Sequence, residues 1–422
     1  MVAAPVRPEA EASLRRLLAT LNCSPGVVDA ANEVLPFARF ERLHVARLVI
    51  LEDSTLADLA AYNSSFLNPP LWFAFLGDCD GDGAAMLAEF AAQCADGLRR
   101  IFSHCQDFDA NCDLLGWMVA RSRAPAACYV NWVGRSVQQI REEAVLHAAL
   151  RGWLAQQGAA LAGDSARGIR DRLVAHQRTH GPPLTPPAPT PAGWFARQLA
   201  NLIAVPLLLV LLLPLVIVGL PFFLVALRAH ETADPVIAPR PDATEVATLA
   251  ALEDHQVSNP FSAFGGVKPG RFRGWTLRFV FWLLDFSVRH LYTRGRLARV
   301  GTIHFARWVF LDSRRRLFFG SNYDGSLDSY MDDFINKVAY GLNLVFSNGV
   351  GYPRTSWLLL GGAKHEQPFK NYLRRHQVPT QVWYKAYPGL TAADLATNTM
   401  IREGLQSASM RENDARAWLA LI

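Results

Sequence analysis

From Leu199 to Leu227 the chain runs twenty-nine residues without a charge, LANLIAVPLLLVLLLPLVIVGLPFFLVAL. A run longer than the ~18 apolar residues needed to cross a bilayer is a membrane signal. Three prolines interrupt it, Pro206, Pro214 and Pro221. Each removes a backbone donor and clashes with the preceding turn, so the run is expected to bend or fold back. The rest of the 422 residues look globular, with 51% hydrophobic and 19% charged residues overall. The net charge of +5 is spread out, with no basic run interleaved with aromatics. Nucleic acid is therefore not an expected partner, and a weak attraction to anionic lipid is the natural use of that charge. The opening MVAAPVRPEAEASLRR has no apolar core of a signal peptide, which leads us to expect a cytoplasmic first lobe. Six cysteines between Cys23 and Cys128 include no C-x-x-C pair, so reduced thiols are expected and no metal site.

The chain also repeats itself. LHVARLVILED (Leu43 to Asp53) matches IHFARWVFLDS (Ile303 to Ser313), placing His44 on His304 and Arg47 on Arg307. Phe73 to Phe108 runs without gaps against Leu317 to Tyr352, with Asp80-Gly81 on Asp324-Gly325 and Phe90 on Phe334. A third block, ACYVNWVGRS (Ala127 to Ser136), corresponds to VWYKAYPGLT (Val382 to Thr391). Each copy reads as two β-branched or aromatic strands forming a hairpin, the second ending at an Asp-Gly turn. After that turn Ser326 is an N-cap, and Leu327, Met331, Phe334, Ile335, Val338, Leu342 and Val345 recur at helical spacing. The third block is another strand, followed by a helix starting at the capping box Ser136-x-x-Gln139 or at Thr391. Leu114 to Val119 and Trp357 to Leu360 are read as one more strand per copy.

Strand-strand-helix-strand in two copies resembles the ferredoxin-like lobes of the dimeric α+β-barrel superfamily, over roughly residues 40–150 and 298–410. The resemblance implies two lobes with apposed sheets that enclose a ligand cavity. Those lobes begin with a strand and a helix, which here would have to come from residues 1–40 and 240–295. The second copy, with HFARW and SNYDGS, also looks like uncharacterised bacterial membrane-associated proteins. The expected fold is therefore α+β: two ferredoxin-like lobes from an internal duplication, forming a barrel-like pseudo-dimer with a hydrophobic membrane insert between them.

The expected organisation is an N-terminal helical segment (1–40), lobe one (41–150), a helix and Pro-rich linker (151–197), the insert (198–228), a loop with an interfacial amphipathic helix (229–297) and lobe two (298–422). Within these, Gly181 to Gly193 is a stiff spacer, and the Arg- and Trp-rich Arg271 to Arg289 suits the membrane surface. If the two copies pack on each other they share one side of the bilayer. The insert is then a re-entrant hairpin turning near Pro214 or Gly219. A true crossing would separate the lobes, each pairing with its counterpart in another chain as a homo-oligomer. The location expected is a bacterial inner membrane, with the lobes on its cytoplasmic face.

Arg307 shares its strand face with apolar residues and needs an anionic partner. Asp324 is the nearest candidate, with Arg47 and Asp80 repeating the pair, so these four are read as a buttress or, alternatively, as catalytic groups. His304 and His44 read as hydrogen-bonded core residues, or as haem ligands. The superfamily resemblance implies haem, because dye-decolorising peroxidases and chlorite dismutases belong to it. Dye-decolorising peroxidases carry a G-x-x-D-G motif, and Gly77 to Gly81 is similar to it, whereas copy two has Ser321 at the first position. Tyr323, Trp383, Tyr384 and Lys385 are candidate lining for a small-molecule pocket. The expected function is a membrane-attached protein that takes an apolar or lipid-derived molecule and oxidises it. The alternative is non-catalytic binding or scaffolding.

Overall fold

The computed structural model describes residues 1–62 and 69–422. Along the chain come β1 (Val2–Pro5), α1 (Glu11–Ala19), β2 (Leu43–Leu51), β3 (Trp72–Cys79), α2 (Gly83–Gln93), α3 (Ala95–Phe102), β4 (Ala127–Val130) and α4 (Val137–Gln157). After the apolar helix α5 (Ala192–Ala233) follow β5 (Ser258–Gly266), α6 (Arg271–His290), β6 (Ile303–Leu311), β7 (Arg316–Asp324), α7 (Leu327–Phe346), β8 (Thr380–Lys385) and α8 (Ala392–Gln406). The fold is mixed α+β. A strand and a helix do precede each hairpin, as β1 with α1 and as β5 with α6.

The strands form two four-stranded antiparallel sheets, ordered β1-β3-β2-β8 and β4-β6-β7-β5. Each sheet takes its edge strand from the other half of the chain. Trp383 of β8 lies opposite Arg47, and Cys128 of β4 opposite Arg307. All nine residues of β2 are buried, because helices cover one face of its sheet and the other sheet covers the second. Ala3, Val49, Leu51, Trp72, Ala74 and Leu76 meet Phe264, Val309, Leu311 and Phe318 in one cluster between the sheets. The inter-sheet space where the resemblance implies a ligand cavity is thus filled by side chains.

Helix starts follow the capping residues. Ser136 accepts from Gln139 N–H, Ser326 from Ser329 N–H, and Thr391 forms a reciprocal capping box with Asp394. The helices expected after the Asp-Gly turns both break, at Cys94 (φ −130°, ψ 31°) and at Val338 (φ −144°, ψ 27°), which are aligned positions. Gly81 and Gly325 have φ of 79° and 81°, the backbone that makes glycine the fitting residue after each Asp.

Four expectations are corrected. The segment 229–297 is not a loop before α6, since Ser258–Gly266 is a fully buried edge strand of the second sheet. Leu114 to Val119 is not a strand but part of the helix Leu114–Ala120, burying Leu114, Trp117 and Met118 at i, i+3, i+4 spacing. Around Trp357 to Leu360 there is only a two-residue ladder, Thr355–Ser356 with Leu360–Gly361, closed over a turn in which Trp357 and Leu358 both have φ of 59°. The insert is no re-entrant hairpin. It is one continuous helix of 42 residues, about 63 Å long at 1.5 Å per residue, with all three prolines inside it. Each proline frees one carbonyl of the preceding turn without ending the helix, and prolines of this kind are tolerated in apolar helices.

α5 is long and apolar enough to cross a membrane. It runs antiparallel beside α6: Asn201 bonds His290 at 2.9 Å, while Phe223 and His230 lie against Phe272 at 5.4 and 4.6 Å. Near its end Glu231, 1% exposed, accepts from Thr355, Trp357 and Leu358. Between these anchors Leu211, Leu215, Val218, Phe222 and Val225 are 68 to 74% exposed. Their 4-3-4-3 spacing makes one stripe that points away from the protein.

Candidate functional site

The aligned histidines sit in β-bulges. Leu43 opposes Cys79 and Val45 opposes Asp78, leaving His44 as the extra residue; Ile303 and Phe305 flank His304 in the same way. The bulge breaks strand alternation and turns each imidazole onto the carboxylate at the end of the neighbouring strand. His44 Nε2 lies 2.9 Å from Asp80 Oδ1, and His304 Nε2 lies 2.7 Å from Asp324 Oδ1. His44 Nδ1 meets the Tyr387 hydroxyl at 3.0 Å. The second oxygen of each aspartate accepts a helix N–H, Asp80 from Val137 at 3.0 Å and Asp324 from Ala392 at 2.7 Å. These are the first residues of α4 and α8, the helices that follow the exchanged strands β4 and β8. A carboxylate suits that place, since the helix N-terminus carries the positive end of its dipole. Each Asp therefore clasps a bulge histidine of one sheet to the chain returning from the other.

The expected ion pairs Arg47–Asp80 and Arg307–Asp324 do not form. Arg47 lies opposite Leu76 and Arg307 opposite Gly320, four residues from Asp80 and Asp324, or about 13 Å along a strand. That exceeds the reach of an arginine. Arg307 instead crosses between the sheets to Asp78. Arg47 donates to the carbonyls of Phe261 (2.9 Å) and Ser321 (2.8 Å) and to the Ser262 hydroxyl (3.1 Å), with Trp383 beneath it. Burial pushes its pKa down to about 10, against the opposing pull of Asp78. The two halves differ here because Asn322 stands at the position aligned with Asp78, and its side-chain oxygen accepts the Phe305 N–H at 3.1 Å.

The four aromatic and lysine candidates do not share a cavity. Tyr323 stacks on Tyr330 at 4.3 Å and turns its hydroxyl to Asp254 at 3.4 Å. Trp383 lies under Arg47, whereas Tyr384 faces the opposite core against Phe37 at 5.2 Å. Lys385 donates to the Leu390 carbonyl at 2.7 Å, and burial pushes its pKa down to about 8.

A haem iron needs a free imidazole nitrogen facing a space of the macrocycle's size. Both ring nitrogens of His44 are engaged, and His304, 2% exposed, gives its Nε2 to Asp324. Neither lines a cavity of that size among the described residues. The residues present do not fit haem. All six cysteines are unpaired.

Burial, then the positive charge of Lys385, push the His304 pKa down to about 4, with Asp324 opposing. The unfolded chain binds a proton near pH 6.5, so this group's stability is present above 6.5 and lost as pH falls through 4. Glu253, raised by burial to about 7, has the opposite slope, with stability present below about 4.5 and lost as pH rises through 7. The difference between wild type and His304→Gln isolates the histidine. Wild type should lose about 3 kcal/mol relative to the variant between pH 6.5 and 4; parallel urea-unfolding profiles would refute a buried neutral His304.

A cavity that the sequence did not suggest lies on the outer face of the second sheet, between α6 and α7. Its volume is about 380 Å³, and its walls include Val280, Leu284, Phe334, Val338, Leu342 and Val345. It opens where α7 breaks at Val338 and where Tyr340 is 53% exposed. Its lining could be recognised only after α6 and α7 were known to be neighbours. Compared with family models, curated protein sequences and solved structures, the chain matches none.

Proposed function

We propose that this is a membrane-attached lipid-binding protein, in which the cavity between α6 and α7 takes a single apolar chain. The observation that carries this reading is the placement of that cavity. An almost wholly apolar space of about 380 Å³, within the ~300–1,000 Å³ of ligand sites, is walled by the helix along which α5 runs. A molecule that partitions into lipid would reach it without crossing water. The bare stripe of α5, the exposed Trp275 and Phe279 of α6, and the Trp357 to Leu360 turn gather apolar surface near one another, far more than a soluble monomer keeps exposed. α5 is held against the same body at Asn201 and at Glu231, so we read it as immersed in the apolar layer without carrying the chain to the far side. The two halves then share one side of the bilayer. We read the two sheets as duplicated ferredoxin-like lobes that have exchanged edge strands, with the His–Asp clasps locking the exchange. Binding accounts for these features better than oxidation does, because both histidines are committed to the clasps.

The test is mass spectrometry of lipids that co-purify in detergent. Wild type should retain a chain-bearing lipid, and Leu344→Trp, which fills the cavity from a partly exposed position, should lose it while unfolding at an unchanged temperature. Equal lipid content in both would remove the cavity from the function.

A further inference from the structure

The opposite flank of α6 carries a different kind of space. An open pocket of about 890 Å³ lies between α6, the turn joining β6 to β7, and the segment 122–126. Its walls bring together Arg123, Arg278 and Arg314 with two carboxylates, Asp285 and Asp312. Both carboxylates are already satisfied. Asp285 pairs with Arg289 at 2.7 Å, while Asp312 accepts from Arg316 and, at 3.1 Å, from Trp72 Nε1. Among the described residues, none of the three arginines has a carboxylate within salt-bridge reach. Arg278 gives its Nε–H to the Gly274 carbonyl at 3.1 Å and lies 3.8 Å over the Trp275 ring, which leaves its terminal nitrogens uncommitted. A smaller space of about 210 Å³ continues around Arg278, Ser313 and Arg314.

The turn itself is unusual. Asp312, Ser313 and Arg314 have φ of 49°, 54° and 71°, three successive non-glycine residues in the left-handed region. Such backbone persists only where its surroundings over-determine it, and it clusters at ligand clamps. Here the Asp312 carboxylate, held by Arg316 and Trp72, pins the turn and sets Arg314 on the same pocket as Arg278.

Three guanidinium groups that are not paired with a carboxylate line this one pocket, and each can offer paired N–H donors to phosphate oxygens. We propose that this pocket binds the phosphate of a lipid headgroup. The choice of a lipid rests on the membrane reading above and on the stacking of Arg278 on Trp275, which is 66% exposed three residues from Phe272, the ring that lies against α5. Tryptophan and arginine together suit the headgroup layer. The phosphate site itself rests only on the pocket.

The experiment titrates the full chain, purified in a maltoside detergent at low salt, with dihexanoyl phosphatidylglycerol, dihexanoyl glycerol and inorganic phosphate, read by calorimetry. Phosphatidylglycerol should bind and dihexanoyl glycerol should not. Arg123→Gln and Arg314→Gln alter exposed side chains and should each weaken phosphatidylglycerol binding about fivefold, or about 25-fold together. Arg278→Gln should act alike, with unfolding temperatures unchanged in all three. Inorganic phosphate binding with the same arginine dependence, and as tightly as phosphatidylglycerol, would uphold the phosphate site with a soluble source. Phosphatidylglycerol affinity indifferent to all three changes, or equal affinity for dihexanoyl glycerol, would overturn the proposal. None of these readings needs a bilayer, so failure of the membrane reading appears separately, as loss of vesicle flotation by the wild type.

Discussion

Replacing Arg307 by methionine should destabilise the protein by about 3–5 kcal/mol, the usual cost of stranding one member of a buried ion pair. The side chains of Arg307 and Asp78 are 10% and 13% exposed and meet between the two sheets, in a layer otherwise filled by Val309, Leu76 and their neighbours. Methionine leaves the Asp78 carboxylate in that layer without its ion-pair partner, and Arg47, which also feels Asp78, already serves three oxygens. Adding Asp78→Leu removes the stranded charge and should restore a large part of the loss. Recovery is incomplete because Asp78 is also the main influence holding up the pKa of Arg47. Urea unfolding of the two single variants and the double variant measures the coupling, and a midpoint indifferent to Arg307→Met would mean that the pair is absent. Asp324→Ala should act by another route, releasing His304 and the start of α8 rather than an arginine.

Leu211→Arg combined with Val218→Arg should release the protein from membranes. Both residues are 68% exposed on the outward stripe of α5 and touch no core, so the folded body should keep its unfolding temperature. Each change forfeits at least the roughly 1.5–3 kcal/mol gained by burying an aliphatic side chain. The pair then shifts partition by two orders of magnitude or more. Vesicle flotation measures it, and undiminished flotation would show that this stripe does not meet lipid. Single cysteines in the 181–193 linker and at Ala233, in a cysteine-free background, address orientation. A helix that does not carry the chain across leaves both reactive to a reagent applied from one side, whereas a crossing helix exposes them on opposite faces.

Much of the local structure was legible in the chain. The runs at Leu43 and Ile303, the Asp-Gly turns and the Ser136, Ser326 and Thr391 caps each depend on side chains acting within a few residues of themselves, and each lies where its pattern indicates. The bulges did not announce themselves. One extra residue at His44 or His304 leaves the β-branched pattern intact, so nearness in sequence assigned the aspartates to the arginines instead of the histidines. The apolar run of Leu114 to Val119 was equally silent about its period, because a buried strand and a short buried helix look alike over six residues.

By itself, the sequence determined the two β hairpins, the helix starts at Ser136, Ser326 and Thr391 and the apolar length of α5, since these follow from short-range chemistry. Only the tertiary structure decided which strands share a sheet, where Arg307 and the two aspartates find partners, that α5 runs beside α6 as one helix, and that a dry cavity and an arginine pocket flank α6. Those outcomes depend on contacts between residues tens to hundreds of positions apart, such as Trp383 with Arg47 or Asp78 with Arg307. Such contacts are selected by the burial and charge balance of the whole packed layer, which leaves no trace in any short window of the chain.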